Sequence, residues 1–176
     1  SAAKHIVIAI GTPVDEYLNP KSRQFLEIIT GLKKYLDSSQ TVMIRSTVYP
    51  NTCKQVLNLF SASGDDSKEN KEDWHIAYCP ERIVQGYAMQ ELRELPQLVA
   101  GFSEKAIKDA SELFGRIAPK IIRVSMGEAE LAKLFANAWR YIQFAITNQF
   151  YMIAHDFGVD YNKVRTAMRD GYKRAE

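Results

Sequence analysis

Residues 97–124 read QLVAGFSEKAIKDASELFGRIAPKIIRV. Gln97–Ala100 is a short apolar run ending at Gly101, which predicts a buried strand. Glu104–Phe114 has the amphipathic spacing of a helix and is stopped by Gly115. Lys120–Val124 is apolar again and predicts a second strand. A strand, a helix and a strand in close succession form the repeating unit of an α/β layer.

The same alternation runs back toward the N-terminus. His5–Ile10 (HIVIAI) reads as a buried strand ending in Gly11-Thr12-Pro13. Ser22–Tyr35 carries Phe25, Ile28, Ile29 and Leu32 at helical spacing. Thr41–Arg45 is the next strand, followed by a helix near Thr52–Phe60. Ser61–Asp73 is polar and predicts a solvated loop. Trp74–Ala77 resumes as a strand, and Ala88–Arg93 is a short helix. This order predicts an α/β fold built on a parallel sheet with helices on its faces. The first strand is not followed by Gly-x-Gly-x-x-Gly, the dinucleotide fingerprint. The expectation is therefore the second half of a Rossmann-like parallel sheet, in a chain cut from the middle of a longer one.

Beyond residue 124 the pattern changes. Ser125-Met126-Gly127-Glu128 is a capping box. Helical spacing then continues to about Phe157, where Gly158 can end it. Thirty or so residues span roughly 45 Å, more than a layer helix needs. The second half (Trp139, Tyr141, Ile142, Phe144, Ala145, Ile146, Phe150, Tyr151, Ile153) is apolar nearly all round, so it needs cover on more than one side. It is expected to cross between domains or pack on a second subunit. A last helix is predicted near Tyr161–Met168. The organisation expected is 1–124 as one α/β unit and 125–176 as a helical connector.

Bulk properties narrow the classes. The 176 residues are 46% hydrophobic and 25% charged, with 23 basic and 21 acidic side chains, an ordinary globular balance. A net charge of +2 argues against nucleic acid and against an anionic membrane surface. No apolar run is long enough to span a bilayer. Cys53 and Cys79 lack CxxC spacing and fit a reducing, cytoplasmic setting as partly buried thiols. His5, His75 and His155 have no metal-ligand spacing, and no metal is expected.

Ligands of open parallel sheets sit at the carboxyl ends of the strands. Three polar clusters fall there: Gly11-Thr12-Pro13, Ser46-Thr47-Val48 and Pro80-Glu81. Each has a plainer reading, as a turn, a helix cap or a surface loop. Their shared position is what favours a site. On the long helix Lys133 and Asn137 are spaced i, i+4 and share a face. A carboxylate, a lysine and an asparagine brought together can move a proton and stabilise an oxyanion. Against this, Lys133 can be a solvated surface lysine, or can pair with Glu130 three residues earlier. Leu131, Leu134 and Phe135 suggest partial burial of Lys133 beside an apolar stripe. Cys79 lacks a base–orienter pair and is not nominated as a nucleophile.

Four segments, in order, resemble the UDP-glucose/GDP-mannose dehydrogenase family of nucleotide-sugar 6-dehydrogenases. They are Val7–Glu16, Arg45-Ser46-Thr47-Val48, the Pro80-Glu81-Arg82 to Gly86 motif, and Glu130-Leu-x-Lys133-Leu-x-x-Asn137. The resemblance implies NAD-dependent, four-electron oxidation of a sugar C6 alcohol to a carboxylate through a cysteine thioester. It implies Glu81 as the base that activates water, and Lys133 and Asn137 as donors to the C6 oxyanions. Thr47 would lie by the nicotinamide and hold the water, and Thr12 would contact the cofactor. Arg82, Ile83 and Val84 would line the nucleotide-sugar site, together with Lys133 and Asn137. Gln85 stands where many members have glutamate; it keeps a contact oxygen for cofactor but cannot be a base. Pro-Glu-Arg and Gly-Thr-Pro-Val-Asp are similar to the branch acting on UDP-N-acetylhexosamines such as UDP-N-acetylmannosamine. The partner implied is a UDP-sugar, the assembly a homodimer through the long helix, and the usual destination cell-surface polysaccharide. The Gly-rich loop and the nucleophilic cysteine would lie outside the chain, so the piece alone is expected to be inactive. Two other readings stand beside this one: a non-catalytic dimerisation or scaffold module, and another two-domain NAD enzyme of the 6-phosphogluconate or hydroxyacid type. Pro-Glu-Arg favours the first family over the last.

Overall fold

Five short strands form one sheet in the computed structural model, which describes residues 3–12, 16, 22–62, 73–84 and 86–172. They are β1 (His5–Ile8), β2 (Thr41–Ile44), β3 (His75–Tyr78), β4 (Gln97–Gly101) and β5 (Ile121–Arg123), in spatial order β1-β2-β3-β4-β5. The first three run parallel, with Ile8, Ile44 and Tyr78 in register at their carboxyl ends.

The helices between them are α1 (Ser22–Lys33), α2 (Thr52–Ser61), α3 (Ala88–Glu94) and α4 (Glu104–Phe114). Side chains alternate across the sheet, as a period of two requires. Val42, Ile44, Ile76 and Tyr78 face Phe25, Ile29, Val56 and Phe60 of α1 and α2. Met43, Ala77, Cys79 and Val99 face Ala106, Ala110 and Phe114 of α4. Burial on both faces explains why the central strands read as unbroken apolar runs.

One strand departs from the parallel expectation. β4 pairs antiparallel with β3, Tyr78 opposite Ala100, and β5 then pairs parallel with β4. The reason lies in the connection. A parallel return needs a crossover element that covers a sheet face, and α3 has seven residues with none buried. The chain therefore turns back beside β3. Residues 97–124 still form the expected parallel strand–helix–strand unit, inverted against the first three strands. Its first residue, Gln97, is thereby delivered to the edge where β3 ends.

Helix α5 (Met126–Asp156) follows β5, and α6 (Tyr161–Arg169) ends the described chain. The capping box forms: Ser125 N–H donates to Glu128 Oε2 at 2.7 Å and Glu128 N–H to Ser125 Oγ at 3.4 Å. The far end closes as a Schellman motif. Gly158, at φ +66°, donates to His155 O, and Val159 donates to Ala154 O, both at 2.9 Å. The chain divides into two units, Ser1–Leu134 and Phe135–Glu176. The first holds the sheet and the opening turns of α5. The second is the rest of α5 with α6, joined through an edge-on Tyr151–Tyr161 ring pair.

Candidate functional site

Because β1, β2 and β3 are parallel, the segments that follow them emerge at one edge, and hydrogen bonds tie these segments together. Ser46 is buried; its Oγ accepts from Ile10 N–H at 3.0 Å and donates to Ile10 O at 2.7 Å. Ser46 is thus a clasp between the β1 and β2 ends, and α2 starts only at Thr52. Glu81 N–H donates to Arg45 O at 3.3 Å, joining the β2 and β3 ends. Thr12 and Thr47 are half-buried at this edge.

Glu81 sits in a cradle of donors. Its Oε1 accepts from the amides of Arg82 and Ile83 at 2.7 and 2.9 Å, and its Oε2 pairs with the Arg45 guanidinium. A carboxylate offers about four lone-pair sites. Three are engaged, and the side chain is still 38% exposed, which leaves one for a water. Arg45 is itself held on three sides. Its guanidinium lies 4.7 Å over the Phe114 ring, and its Nη1 donates to Gln97 Oε1 at 3.1 Å. Gln97 Nε2 in turn donates to Pro80 O at 3.2 Å. Burial draws the Arg45 guanidinium below its ordinary value, with neighbouring Cys79 acting the other way. No spacing in the sequence links residues 45, 81 and 97, so the sequence alone gives neither Arg45 nor Gln97 a role in the site.

The amides after Glu81 are also occupied. Val84 N–H donates to Glu91 Oε2 at 2.6 Å, and the Arg82 guanidinium donates to Pro96 O. Burial draws Arg82 below its ordinary value. Arg82 thus braces the segment against the α3–β4 connection, while the Ile83 side chain is half-buried and Val84 exposed. Gln85, with Pro13, Val14 and Asp15 of the Val7–Glu16 segment, lies outside the described residues.

Lys133 is 8% exposed on the opening turns of α5. The cause differs from the expected apolar stripe, because Leu131 and Phe135 are both exposed. The inward face carries Met126, Ala129, Glu130 and Lys133 at helical spacing. Glu130, 2% exposed, gives both carboxylate oxygens to the start of α2, accepting from the amides of Asn51 and Cys53. Asn137 follows Lys133 by one turn of α5, is half-buried, and belongs to the second unit.

Both thiols are free and fully buried, more so than the partial burial expected. Burial pushes Cys79 up to about 12, with Arg45 pulling it down. Burial, then the Glu130 carboxylate, pushes Cys53 up as well. Neither is a nucleophile near neutral pH, since the thiolate is the reactive form. Among the described residues no group of His, Cys, Asp and Glu could hold a metal, and no helix is long and apolar enough to cross a membrane.

Two family models match, in chain order. The NAD binding domain of the UDP-glucose/GDP-mannose dehydrogenase family covers residues 1–118, and the central domain of the same family covers 127–174. A UDP-N-acetyl-D-mannosamine dehydrogenase from Methanocaldococcus jannaschii is 28% identical over 158 residues, which is 88% of this chain and 35% of that protein. The solved UDP-D-ManNAc dehydrogenase from Pyrococcus horikoshii superposes with a TM-score of 0.81 at 24% identity, over 98% of this chain and 41% of that one. The solved GDP-mannose dehydrogenase from Pseudomonas aeruginosa gives 0.82 at 21%, over 97% and 40%. The chain thus spans about a third of the length of the curated relatives it matches.

Proposed function

The chain belongs to the UDP-glucose/GDP-mannose dehydrogenase family, and from that premise we propose that it forms part of an NAD-dependent nucleotide-sugar 6-dehydrogenase. Residues 1–124 are the C-terminal part of the NAD-binding domain, and 125–176 the connector to the rest of the protein. The observation that carries the reading is the gathering of Thr12, Thr47 and the cradled Glu81 at one sheet edge, to which Glu130 fastens the helix bearing Lys133. The edge leaves room for a nucleotide: Gly11 is exposed, a Cβ there would meet nothing within 4 Å, and Thr12 and Thr47 are half-buried at the same edge.

In the proposed reaction the C6 alcohol becomes an aldehyde, then a cysteine thioester, then a carboxylate. NAD would supply the hydride acceptor for each of the two oxidations. The Lys133 ammonium and Asn137 carboxamide donate to the oxygen at C6 as it gains negative charge. Glu81 takes a proton from the water that attacks the thioester, through the lone pair that Arg45 and the backbone leave open. Thr47 holds that water, and Thr12 and Gln85 contact the cofactor. The segment Arg82-Ile83-Val84 lines the sugar-nucleotide site. The thioester cysteine comes from outside residues 1–176, since Cys53 and Cys79 are buried, and the 176 residues alone turn nothing over.

The substrate proposed is a UDP-N-acetylhexosamine, supported by Pro80-Glu81-Arg82 and by relatives named for UDP-N-acetyl-D-mannosamine. The assembly proposed is a cytoplasmic homodimer through α5, supplying precursors of cell-surface polysaccharide. The test is NADH formation by the full-length protein on UDP-N-acetylmannosamine, UDP-glucose and GDP-mannose. The reading expects a kcat/KM at least about tenfold higher for the first. Equal or lower kcat/KM for the first overturns the branch assignment, and no NADH from any of them overturns the enzyme.

A further inference from the structure

Helix α2 is held at both ends by charged side chains from other helices. At its C-terminal end Lys33 Nζ donates to the carbonyls of Leu59 and Ala62, at 3.0 and 2.8 Å. At its N-terminal end Asn51 occupies the N-cap position with φ 69° and makes no side-chain cap bond. The acceptor comes instead from far along the chain. Glu130 Oε2 accepts from Asn51 N–H at 2.7 Å, and Glu130 Oε1 from Cys53 N–H at 3.0 Å. A carboxylate at this end of a helix also meets the positive pole of its dipole.

We infer that Glu130 is a positioning residue, which fixes the turn of α5 bearing Lys133 against the β2–α2 turn bearing Thr47; the inference rests on the function proposed above. Thr47 leads into α2 four residues before Asn51, and Lys133 follows Glu130 by three residues, on the same helical face. Two hydrogen bonds to one carboxylate set both the rotation and the axial position of α5 at that point. A donor to a developing oxyanion has to be placed to a fraction of an ångström, and a displacement of about 1 Å can cost roughly 100-fold in rate. Capping α2 alone needs no partner from α5, because a short polar side chain at the N-cap would suffice. Placing the acceptor on α5 makes the same bonds hold two segments of the site.

The test is a double-mutant cycle in the full-length protein, by steady-state kinetics, with folding checked by thermal unfolding. Lys133→Ala is expected to lower kcat by about 100-fold or more. Glu130→Gln is expected to lower kcat by about 10- to 100-fold, with KM for the nucleotide sugar within about threefold. In the Lys133→Ala background Glu130→Gln is expected to add little, because it acts through a group already removed. Should Glu130→Gln not fold, Glu130→Asp, which keeps the charge and shortens the reach, is expected to give the same split. If Lys133→Ala is slow and a folded Glu130 variant has the parent kcat, the inference falls and the function stands. An equal loss in both backgrounds overturns it too, since Glu130 would then act independently of Lys133. An unchanged kcat in Lys133→Ala overturns the function and the inference with it.

Discussion

At Glu81, pairing with Arg45 and two amide bonds fix the carboxylate in one orientation, and the remaining lone pair gives it a direction in which to act. Glu81→Gln keeps an oxygen for the amides and loses the base. In the full-length protein kcat is expected to fall by about 100- to 10,000-fold, and stopped-flow spectroscopy should show NADH forming without matching release of the uronate. Equal loss of both signals would assign Glu81 a structural role instead. Arg45→Met should lower the same rate less steeply, because it removes the orienting partner and leaves the base. The sequence already placed Thr12, Thr47 and Glu81 at strand ends, because a strand followed by a polar turn is a local signal. It did not reveal the Arg45–Gln97–Pro80 link, which depends on the direction of β4. Nor did it decide between the partners of Glu130: the i, i+3 pairing with Lys133 was a local possibility, and the amides of Asn51 and Cys53 lie nearly 80 residues away.

Strand β4 shows what periodicity leaves out. A short apolar run has no direction, and only the length and burial of the connecting helix distinguish a crossover from a return. The seven residues of α3 and their exposure decide it. The junction after β4 is tight: a Cβ at Gly101 would meet Ile107 Cγ1 at 2.9 Å and Ile107 N at 3.2 Å. Gly101→Ala is expected to destabilise by about 1–3 kcal/mol through overpacking, read as a lower urea midpoint with unchanged slope. On β3, burial and then Lys105 draw His75 below its ordinary value of 6.5. The unfolded chain therefore binds the proton more readily. The stabilisation is complete above pH 6.5 and is lost as pH falls below it toward the folded value. The melting temperature should fall through that window, and His75→Gln should flatten the fall. The termini of α5 were the most legible of all, because a capping box and a φ-positive glycine are written in the residues themselves.

The second unit presents Trp139, Phe144 and Phe157 to solvent at 63%, 57% and 79%. Where α5 meets α6 an apolar groove of about 310 Å³ runs along Phe150, Ile153, Phe157, Val164 and Met168. A helix exposed on so many apolar side chains needs cover from the rest of the protein or from a second copy, and the proposed homodimer draws on that exposure. Trp139→Glu with Phe144→Glu is expected to convert the full-length protein from dimer to monomer in sedimentation, and an unchanged mass would remove α5 from the interface. The central claim is that the shared edge of β1–β3 and the opening turns of α5 form the oxidising centre for a nucleotide sugar. The most direct measurement is the NADH formed per UDP-N-acetylmannosamine consumed by the full-length protein, for the parent and for Lys133→Ala. The account predicts two NADH per sugar oxidised, with a rate about 100-fold or more lower in the variant. No sugar-dependent NADH, or parent rates in Lys133→Ala, would contradict it.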